Sequence, residues 1–133
     1  MAIDHTSLQV PEDKFQECLK VYLAALKPLG YEIVHQFGPH VVGLGSTKDI
    51  VKDYKPSDFW IIGTKEATAG GLHVAFRTQD RASIDAFHAG ALEVGAKDNG
   101  APGLRVNYHP NYYAAFVLDP VGNNIEAVCH LPA

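Results

Sequence analysis

The sequence lacks the features that are typical of membrane proteins, of nucleic-acid-binding proteins and of secreted proteins. No apolar run approaches the roughly 20 residues that a membrane-spanning helix needs, and the start, MAIDHTSLQV, lacks the features of a signal peptide. Lysine and arginine number 11 against 15 aspartates and glutamates, for a net charge of −4. This balance disfavours nucleic acid or an acidic membrane surface as a partner. We therefore expect a cytoplasmic protein with a small-molecule partner.

Cysteine is scarce as well. Cys18 and Cys129 have neither metal-type nor redox-type spacing, so we expect both to be reduced and buried. Apolar residues make up 47% of the 133 residues and charged residues 20%. This composition is typical of an ordinary globular chain, and the length suits one domain.

Histidine, in contrast, is frequent, with seven residues against eleven lysines and arginines. Histidine is the usual metal ligand and proton carrier at neutral pH. The question for function is therefore whether any of these seven residues are arranged as metal ligands or proton carriers.

A weak internal repeat divides the chain into two modules, of about residues 1–66 and 70–133. Ile3–Val10 (IDHTSLQV) and Leu72–Arg77 (LHVAFR) are predicted strands with a histidine near the start of each, 73 − 5 = 68 residues apart. A helical pattern and then three further strands follow in each module. We expect Asp13 with Gln16, and Asp80, to cap the two helices. Long polar loops are predicted at Gly45–Ser57 and Gly100–Asn111, and only a short or irregular segment around Ala96–Asn99.

Strand alternation places His5, His73 and Glu126 on polar faces, one from each of three strands. For any single strand, such a face is explained by contact with water. Two histidines and a carboxylate are also the minimal ligand set of a catalytic divalent metal. The equivalent places of the two histidines in the repeat favour the metal interpretation.

The sequence resembles the vicinal oxygen chelate superfamily, which includes glyoxalase I, bleomycin-resistance proteins, extradiol dioxygenases and thiol transferases. The resemblance rests on IDHTSLQV, on GLHVAF and on FVLDPVGNNIEAV, and it covers essentially the whole chain. It implies an α+β fold in which two βαβββ modules form a half-open, cupped mixed β-sheet. It also implies metal ligation by His5, His73 and Glu126, and a homodimer that sometimes shares metal sites across chains.

One position departs from the four-ligand pattern of glyoxalase I. Aligning PSDFW with GNNIE places Trp60 opposite Glu126, and tryptophan cannot ligate a metal. The set therefore resembles the two-His-one-Glu arrangement of the dioxygenases and thiol transferases.

The remaining candidates are residues expected to contact substrate or to move protons. Trp60 and Phe116 would form an aromatic wall, Arg77 would attract an anion, and Tyr112 and Gln9 would face the cavity or the substrate. Glu126 and His109, the latter in a polar loop, are the candidate catalytic residues. The other four histidines, His35, His40, His88 and His130, are interpreted as structural or surface residues, although His35 or His40 could also line the cup.

Two functions remain open at this point. The first is an enzyme that uses a divalent metal (Fe, Mn, Ni or Zn) as a Lewis acid on a small oxygen-bearing substrate, with lyase, isomerase, thiol transferase or dioxygenase chemistry. The alternative is a metal-free protein that binds and sequesters a small molecule. A scaffold with a vestigial site is a third, weaker interpretation, because His5, His73 and Glu126 are all present.

Overall fold

The computed structural model describes residues 3–47, 54–68 and 70–133, and within them the chain repeats one βαβββ order twice. The first module contains β1 (Thr6–Pro11), α1 (Phe15–Leu26), β2 (Tyr31–Gln36), β3 (Val41–Ser46) and β4 (Phe59–Thr64). The second contains β5 (His73–Arg77), α2 (Arg81–Glu93), β6 (Lys97–Leu104), β7 (Tyr113–Leu118) and β8 (Asn124–Cys129). Residues 48–53 of the predicted loop at Gly45–Ser57 lie outside the described residues.

Each module forms its own four-stranded mixed sheet. The strand orders are β1-β4-β3-β2 and β5-β8-β7-β6, so the two sheets have the same topology. In each sheet the first strand runs parallel to the last strand of its module, and the other pairings are antiparallel. The predicted α+β class and paired βαβββ modules are confirmed.

The predicted helix cap is present in the second module and absent from the first. Asp80 accepts a hydrogen bond from the Ser83 backbone N–H at 2.7 Å, as predicted. The predicted pair of Asp13 and Gln16 is wrong, because a 3-10 turn at Glu12–Lys14 leads directly into α1 and no side chain caps it. Gly30, with φ of 87°, ends the turn after α1.

Strand β6 is longer than expected. It runs through Lys97–Leu104, whereas the sequence pattern predicts a short segment followed by a loop from Gly100. Two register irregularities, at Asp98/Gly100 and Gly100/Gly103, let this Gly- and Pro-containing segment pair with β7. Bulges remove the strict alternation on which the strand prediction rests.

The two modules share one buried apolar core. The Phe76 ring of β5 packs edge-to-face against Phe59 and Tyr31 of the first module, with ring centroids 5.3 and 5.4 Å apart. Cys18 and Cys129 are both free and buried, as expected. No helix within the described residues is long and apolar enough to cross a membrane.

A buried turn before β8 joins distant parts of the core. Asp119 is 3% exposed and accepts hydrogen bonds from the Tyr22 hydroxyl at 2.7 Å, from the backbone N–H groups of Val121 and Asn123, and from the Asn123 amide. The Asn123 side-chain oxygen in turn accepts from the Leu72 backbone N–H at 3.1 Å. The turn therefore fixes the start of β5, where His73 follows Leu72.

Candidate functional site

Glu126 is a buried carboxylate at the centre of the second sheet. It is 3% exposed and pairs in register with Ala75 of β5 and Phe116 of β7. Its Oε1 accepts a hydrogen bond from the Tyr112 hydroxyl at 2.5 Å, and its Oε2 lies 3.1 Å from Nε2 of His73. A buried carboxylate needs such partners because burying the charge alone is costly.

Both ring nitrogens of His73 face acceptor atoms. His73 Nδ1 lies 3.2 Å from the backbone oxygen of Asn124, and Nε2 lies 3.1 Å from Glu126 Oε2. A neutral imidazole has one N–H to donate, so it satisfies one of the two contacts. A second proton or a metal ion at Nε2 would satisfy the other.

Tyr112 holds the other side of the carboxylate. Its partial burial, together with its hydrogen bond to Glu126, raises the pKa of Tyr112 to about 12. The hydroxyl therefore remains protonated at neutral pH and donates to Glu126. This places Tyr112 beside the candidate ligand, on the same side of the sheet as Phe116.

His5 lines the same cleft as His73 but is not grouped with Glu126 among the described residues. Its Nδ1 is 2.7 Å from the Asp4 carboxylate, which leaves Nε2 as its open donor atom. His5, His73 and Arg77 line one cleft of about 410 Å³ between the modules, and Glu126 is not among its lining residues. Across residues 3–47, 54–68 and 70–133, no three His, Cys, Asp or Glu side chains are grouped to hold a metal.

Phe116 lies next to two residues that matter for the site, His73 and Arg105. Its ring lies 6.4 Å from the His73 ring, at 21°, and 5.4 Å from the Arg105 guanidinium. Arg105 donates to the backbone oxygens of Gly103, Ala114 and Ala101. Arg105 thus links β6 to β7 beside Phe116. This role was not predicted, because the sequence pattern assigns the segment to a polar loop.

Trp60 takes the place in the first sheet that Glu126 takes in the second. Trp60 pairs with Ser7 and Glu126 pairs with Ala75, and Ser7 and Ala75 each follow their histidine by two residues. The register therefore confirms the alignment of PSDFW with GNNIE. The first module therefore has an indole at the register position where the second module has a carboxylate.

Around Trp60 lies a cluster of aromatic rings, which we name the aromatic slab and define as His35, Phe37, Tyr54 and Trp60. The rings of Phe37, Tyr54 and Trp60 have centroids 6.4, 5.7 and 5.9 Å from that of His35. From the sequence, His35 is interpreted as structural or as lining the cup, and the structure places its ring beside those of Phe37, Tyr54 and Trp60. Phe37 follows the last residue of β2.

His109 pairs with another histidine rather than with Glu126. Its Nδ1 accepts from the Asn111 backbone N–H at 3.1 Å, so its Nε2 carries the proton and donates to His130 Nδ1 at 2.6 Å. Both rings pack edge-on against Tyr112. The predicted acid or base role of His109 stays a prediction.

The two remaining candidates lie on exposed strand faces. Gln9 is exposed on β1, and it lines a second cleft between the modules together with Leu72 and Asn123. Arg77 is exposed at the end of β5. The structure does not bring either side chain against Glu126, and their roles toward substrate stay predictions.

The two modules, their register and their strand orders define the vicinal oxygen chelate fold, that of glyoxalase/bleomycin resistance/dioxygenase proteins. A glyoxalase/bleomycin resistance protein from Albidiferax ferrireducens T118 superposes with a TM-score of 0.72 at 25% identity, over 96% of this chain and 98% of that one. A glyoxalase/bleomycin resistance protein/dioxygenase family enzyme from Burkholderia phytofirmans PsJN gives 0.70 at 15% identity, over 98% and 100%.

A structure named lactoylglutathione lyase, from Agrobacterium tumefaciens, is also similar. Its TM-score is 0.59 at 16% identity, over 96% of this chain and 92% of that one. No protein-family model matches the sequence, and no curated protein matches it. The similarity is thus carried by the fold.

Proposed function

We propose that the protein is a divalent-metal-dependent enzyme that acts on a small oxygen-bearing substrate, with His73, Glu126 and His5 as the metal ligands. One observation carries the proposal. Both nitrogens of His73 face acceptors, the Asn124 carbonyl oxygen at 3.2 Å and the Glu126 carboxylate at 3.1 Å, and a metal ion at Nε2 would leave the single N–H of the neutral ring at Nδ1 for the carbonyl.

The donor set fits a divalent cation of the Fe, Mn, Ni or Zn type. Imidazole nitrogen and carboxylate oxygen suit these metals, and metal-binding histidines usually donate their other N–H to a carbonyl or carboxylate. His73 makes this contact with Asn124, and His5 makes it with Asp4. Both histidines therefore leave Nε2 as the ligand atom.

His5 enters the proposal from a second copy of the chain. Within the part of the chain that the structure describes, His5 does not group with His73 and Glu126 into a three-residue set. A homodimer, as the family resemblance implies, supplies the missing ligand from the other copy. The proposal thus includes a dimer with shared sites.

The chain's own residues then prepare the site for substrate. Tyr112 holds Glu126 Oε1 through its hydroxyl, which directs Oε2 toward His73. Phe116 lies beside His73, with ring centroids 6.4 Å apart, and adds an apolar ring next to the imidazole. Arg77, on the face of β5 that carries His73, and Gln9 are the proposed polar contacts to substrate, and His109 is the proposed acid or base.

A bound divalent metal would supply Lewis acidity, polarising an oxygen of the substrate. Lyase, isomerase, thiol transferase and dioxygenase chemistry are all compatible with this ligand set. The identity of the substrate determines which of these reactions takes place.

Metal analysis of protein purified without chelator tests the proposal. We expect about one divalent ion per site, with loss of binding in His73→Ala and in Glu126→Gln. His40→Ala is the matched control, because His40 also pairs with a glutamate, Glu12, at 2.9 Å, but on the other module. Metal retained in His73→Ala, or lost equally in His40→Ala, would refute the ligand assignment.

A second candidate function is metal-free binding of a small molecule. The observation that favours it is Trp60, which occupies the register position of Glu126 in the other sheet and lies among aromatic rings. A protein of this kind would keep its ligand affinity in EDTA and show no turnover.

A further inference from the structure

We infer that Asn99 is a covalent modification site of the folded protein, where water converts the side-chain amide into a carboxylate with Asp98 as the proton acceptor. The inference concerns the pair Asn99–Gly100 on β6, which has no part in the proposed reaction. It does not depend on the metal site, so the two proposals stand or fall separately.

The chemistry takes place within two neighbouring residues. The backbone nitrogen of Gly100 attacks the side-chain carbonyl carbon of Asn99, so a C–N bond forms to give a cyclic imide. The bond to the amide nitrogen breaks, and ammonia departs with the proton of the Gly100 N–H. Water then opens the imide at either carbonyl, which gives aspartate or isoaspartate. Water is the only co-reactant, and the product carries a new negative charge.

Glycine at position 100 leaves the attacking nitrogen open. A side chain on the following residue would crowd this nitrogen, and glycine has none. The fold requires glycine here, because its φ of 151° is positive and a Cβ would lie 2.9 Å from the Phe116 ring. Packing against Phe116 therefore keeps the reactive pair in the chain.

Asn99 lies outside the ladder between β6 and β7. The register passes from the Asp98–Val117 pair directly to the Gly100–Phe116 pair, so Asn99 is the extra residue of a bulge. Such a residue is left unpaired, and Asn99 is exposed. The imide can therefore form without breaking a pair of the sheet, and water reaches it.

A carboxylate lies against the reacting nitrogen. Asp98 Oδ1 accepts hydrogen bonds from the Gly100 backbone N–H at 3.0 Å and from His88 Nε2 at 2.8 Å. The bond from His88, followed by that from Gly100, lowers the pKa of Asp98, so this carboxylate is ionised at neutral pH. Asp98 is thus placed to take the Gly100 proton and to pass it to the departing ammonia.

The modification removes a contact close to the candidate site. Asn99 Nδ2 donates to Asn124 Oδ1 at 3.1 Å, and the Asn124 backbone oxygen lies 3.2 Å from His73 Nδ1. A carboxylate only accepts hydrogen bonds, so the modified residue cannot make this contact. The new charge also lies next to that of Asp98. The conversion therefore changes both the charge and the contacts one residue away from the neighbour of His73.

Peptide mapping of folded wild-type protein, stored at neutral pH and physiological temperature, tests the inference. Trypsin cleaves after Lys97 and after Arg105 and releases residues 98–105, in which Asn99 has the only side-chain amide. We expect this peptide to change in mass by the replacement of an amino group with a hydroxyl, and to separate into aspartate and isoaspartate forms. Storage in heavy-oxygen water, with digestion in ordinary water, should label the product.

Controls come from the same chain and from two variants. Asn107 is also exposed but precedes Tyr108, and it should keep its amide. Asn99→Gln should show no conversion, because the longer side chain closes the ring poorly, and Asp98→Ser should slow the conversion. Equal conversion at Asn107, or conversion of Asn99 only in urea, would overturn the inference. An unchanged rate in Asp98→Ser would overturn the role of Asp98.

A second readout follows the contact with Asn124. In proton–nitrogen NMR spectra, the stored wild type and Asn99→Asp should show the same displacement of the Asn124 side-chain signals. Asn99→Gln should keep its spectrum unchanged on storage. Asn124 signals that do not move in Asn99→Asp would overturn the expected loss of contact.

Discussion

The Tyr112 hydroxyl donates a hydrogen bond of 2.5 Å to Glu126 Oε1. This contact holds a buried carboxylate whose other oxygen faces His73. Tyr112→Phe removes the hydroxyl and keeps the ring, so Glu126 should lose its orientation. We expect metal affinity to fall about tenfold or more, the usual effect of removing a partner behind a ligand.

Isothermal titration of the metal-free protein with a divalent ion provides the measurement. Tyr108→Phe is the control, because Tyr108 packs on Tyr112 through its ring and is not within hydrogen-bond contact of Glu126 in the structure. An equal loss in both variants would show that Tyr112 acts through packing alone.

Asp119 should be among the most sensitive positions for stability. Asp119→Ala leaves the Tyr22 hydroxyl and the donors of its own turn without their acceptor, and we expect a loss of about 3 kcal/mol or more. Tyr22→Phe removes one of these bonds and should cost about 1 kcal/mol. Urea unfolding measures both.

A matched control is available for the tyrosine. The Tyr113 hydroxyl also donates to an aspartate, Asp85, at the same 2.7 Å, but at an exposed site. Tyr113→Phe should change the free energy of unfolding by less than about 0.5 kcal/mol. If Tyr22→Phe costs no more than this, burial does not strengthen the Tyr22 bond.

Gly43→Ala should destabilise the first sheet by overpacking. The new Cβ would lie 2.5 Å from Ser57 Oγ and 2.9 Å from Trp60, and we expect a cost of about 1 to 3 kcal/mol with a shifted tryptophan emission. Gly38→Ala is the comparison, since nothing lies within 4 Å of its Cβ although its φ is +65°. Its cost should be about 1 kcal/mol, with unchanged emission.

Stability should fall in alkali partly because of Cys18. Burial raises the pKa of the Cys18 thiol from 9.0 to about 12, with Asp119 as a further cause. The unfolded thiol ionises from about pH 9 while the folded thiol stays protonated, so this contribution is complete below pH 9 and is lost as the pH rises toward 12.

Cys18→Ala isolates this contribution. Between about pH 8 and pH 10.5, the variant should lose less stability than the wild type, by on the order of 1 to 2 kcal/mol. Urea unfolding at the two pH values gives the difference. Parallel losses in the two proteins would mean that the thiol ionises in the folded state.

The sequence predicts the fold well where the strands alternate strictly. The parity of β5 and β8 predicts that His73 and Glu126 share a face, and their side chains lie 3.1 Å apart. His5 lies just before the first residue of β1, so strand parity does not place it. The longer β6 and the role of Arg105 were missed, since bulges at Gly100 break the alternation.

The contacts between side chains were less predictable. The hydrogen bond of Tyr112 to Glu126 and the pairing of His109 with His130 depend on rotamers and on strands far apart in sequence. The sequence favours a structural role for His35 and leaves open that it lines the cup, because a single histidine in a strand gives no sign of the rings around it. Those rings come from three separate segments.

The turn at Asp119 and Asn123 has a consequence for sequence divergence as well as for folding. The acceptor beside His73 Nδ1 is a main-chain oxygen, that of Asn124, and the turn anchors that stretch of main chain to the start of β5. Substituting the side chain of Asn124 leaves its carbonyl in place. The contact behind His73 can therefore persist through substitution at position 124, provided that the turn is kept.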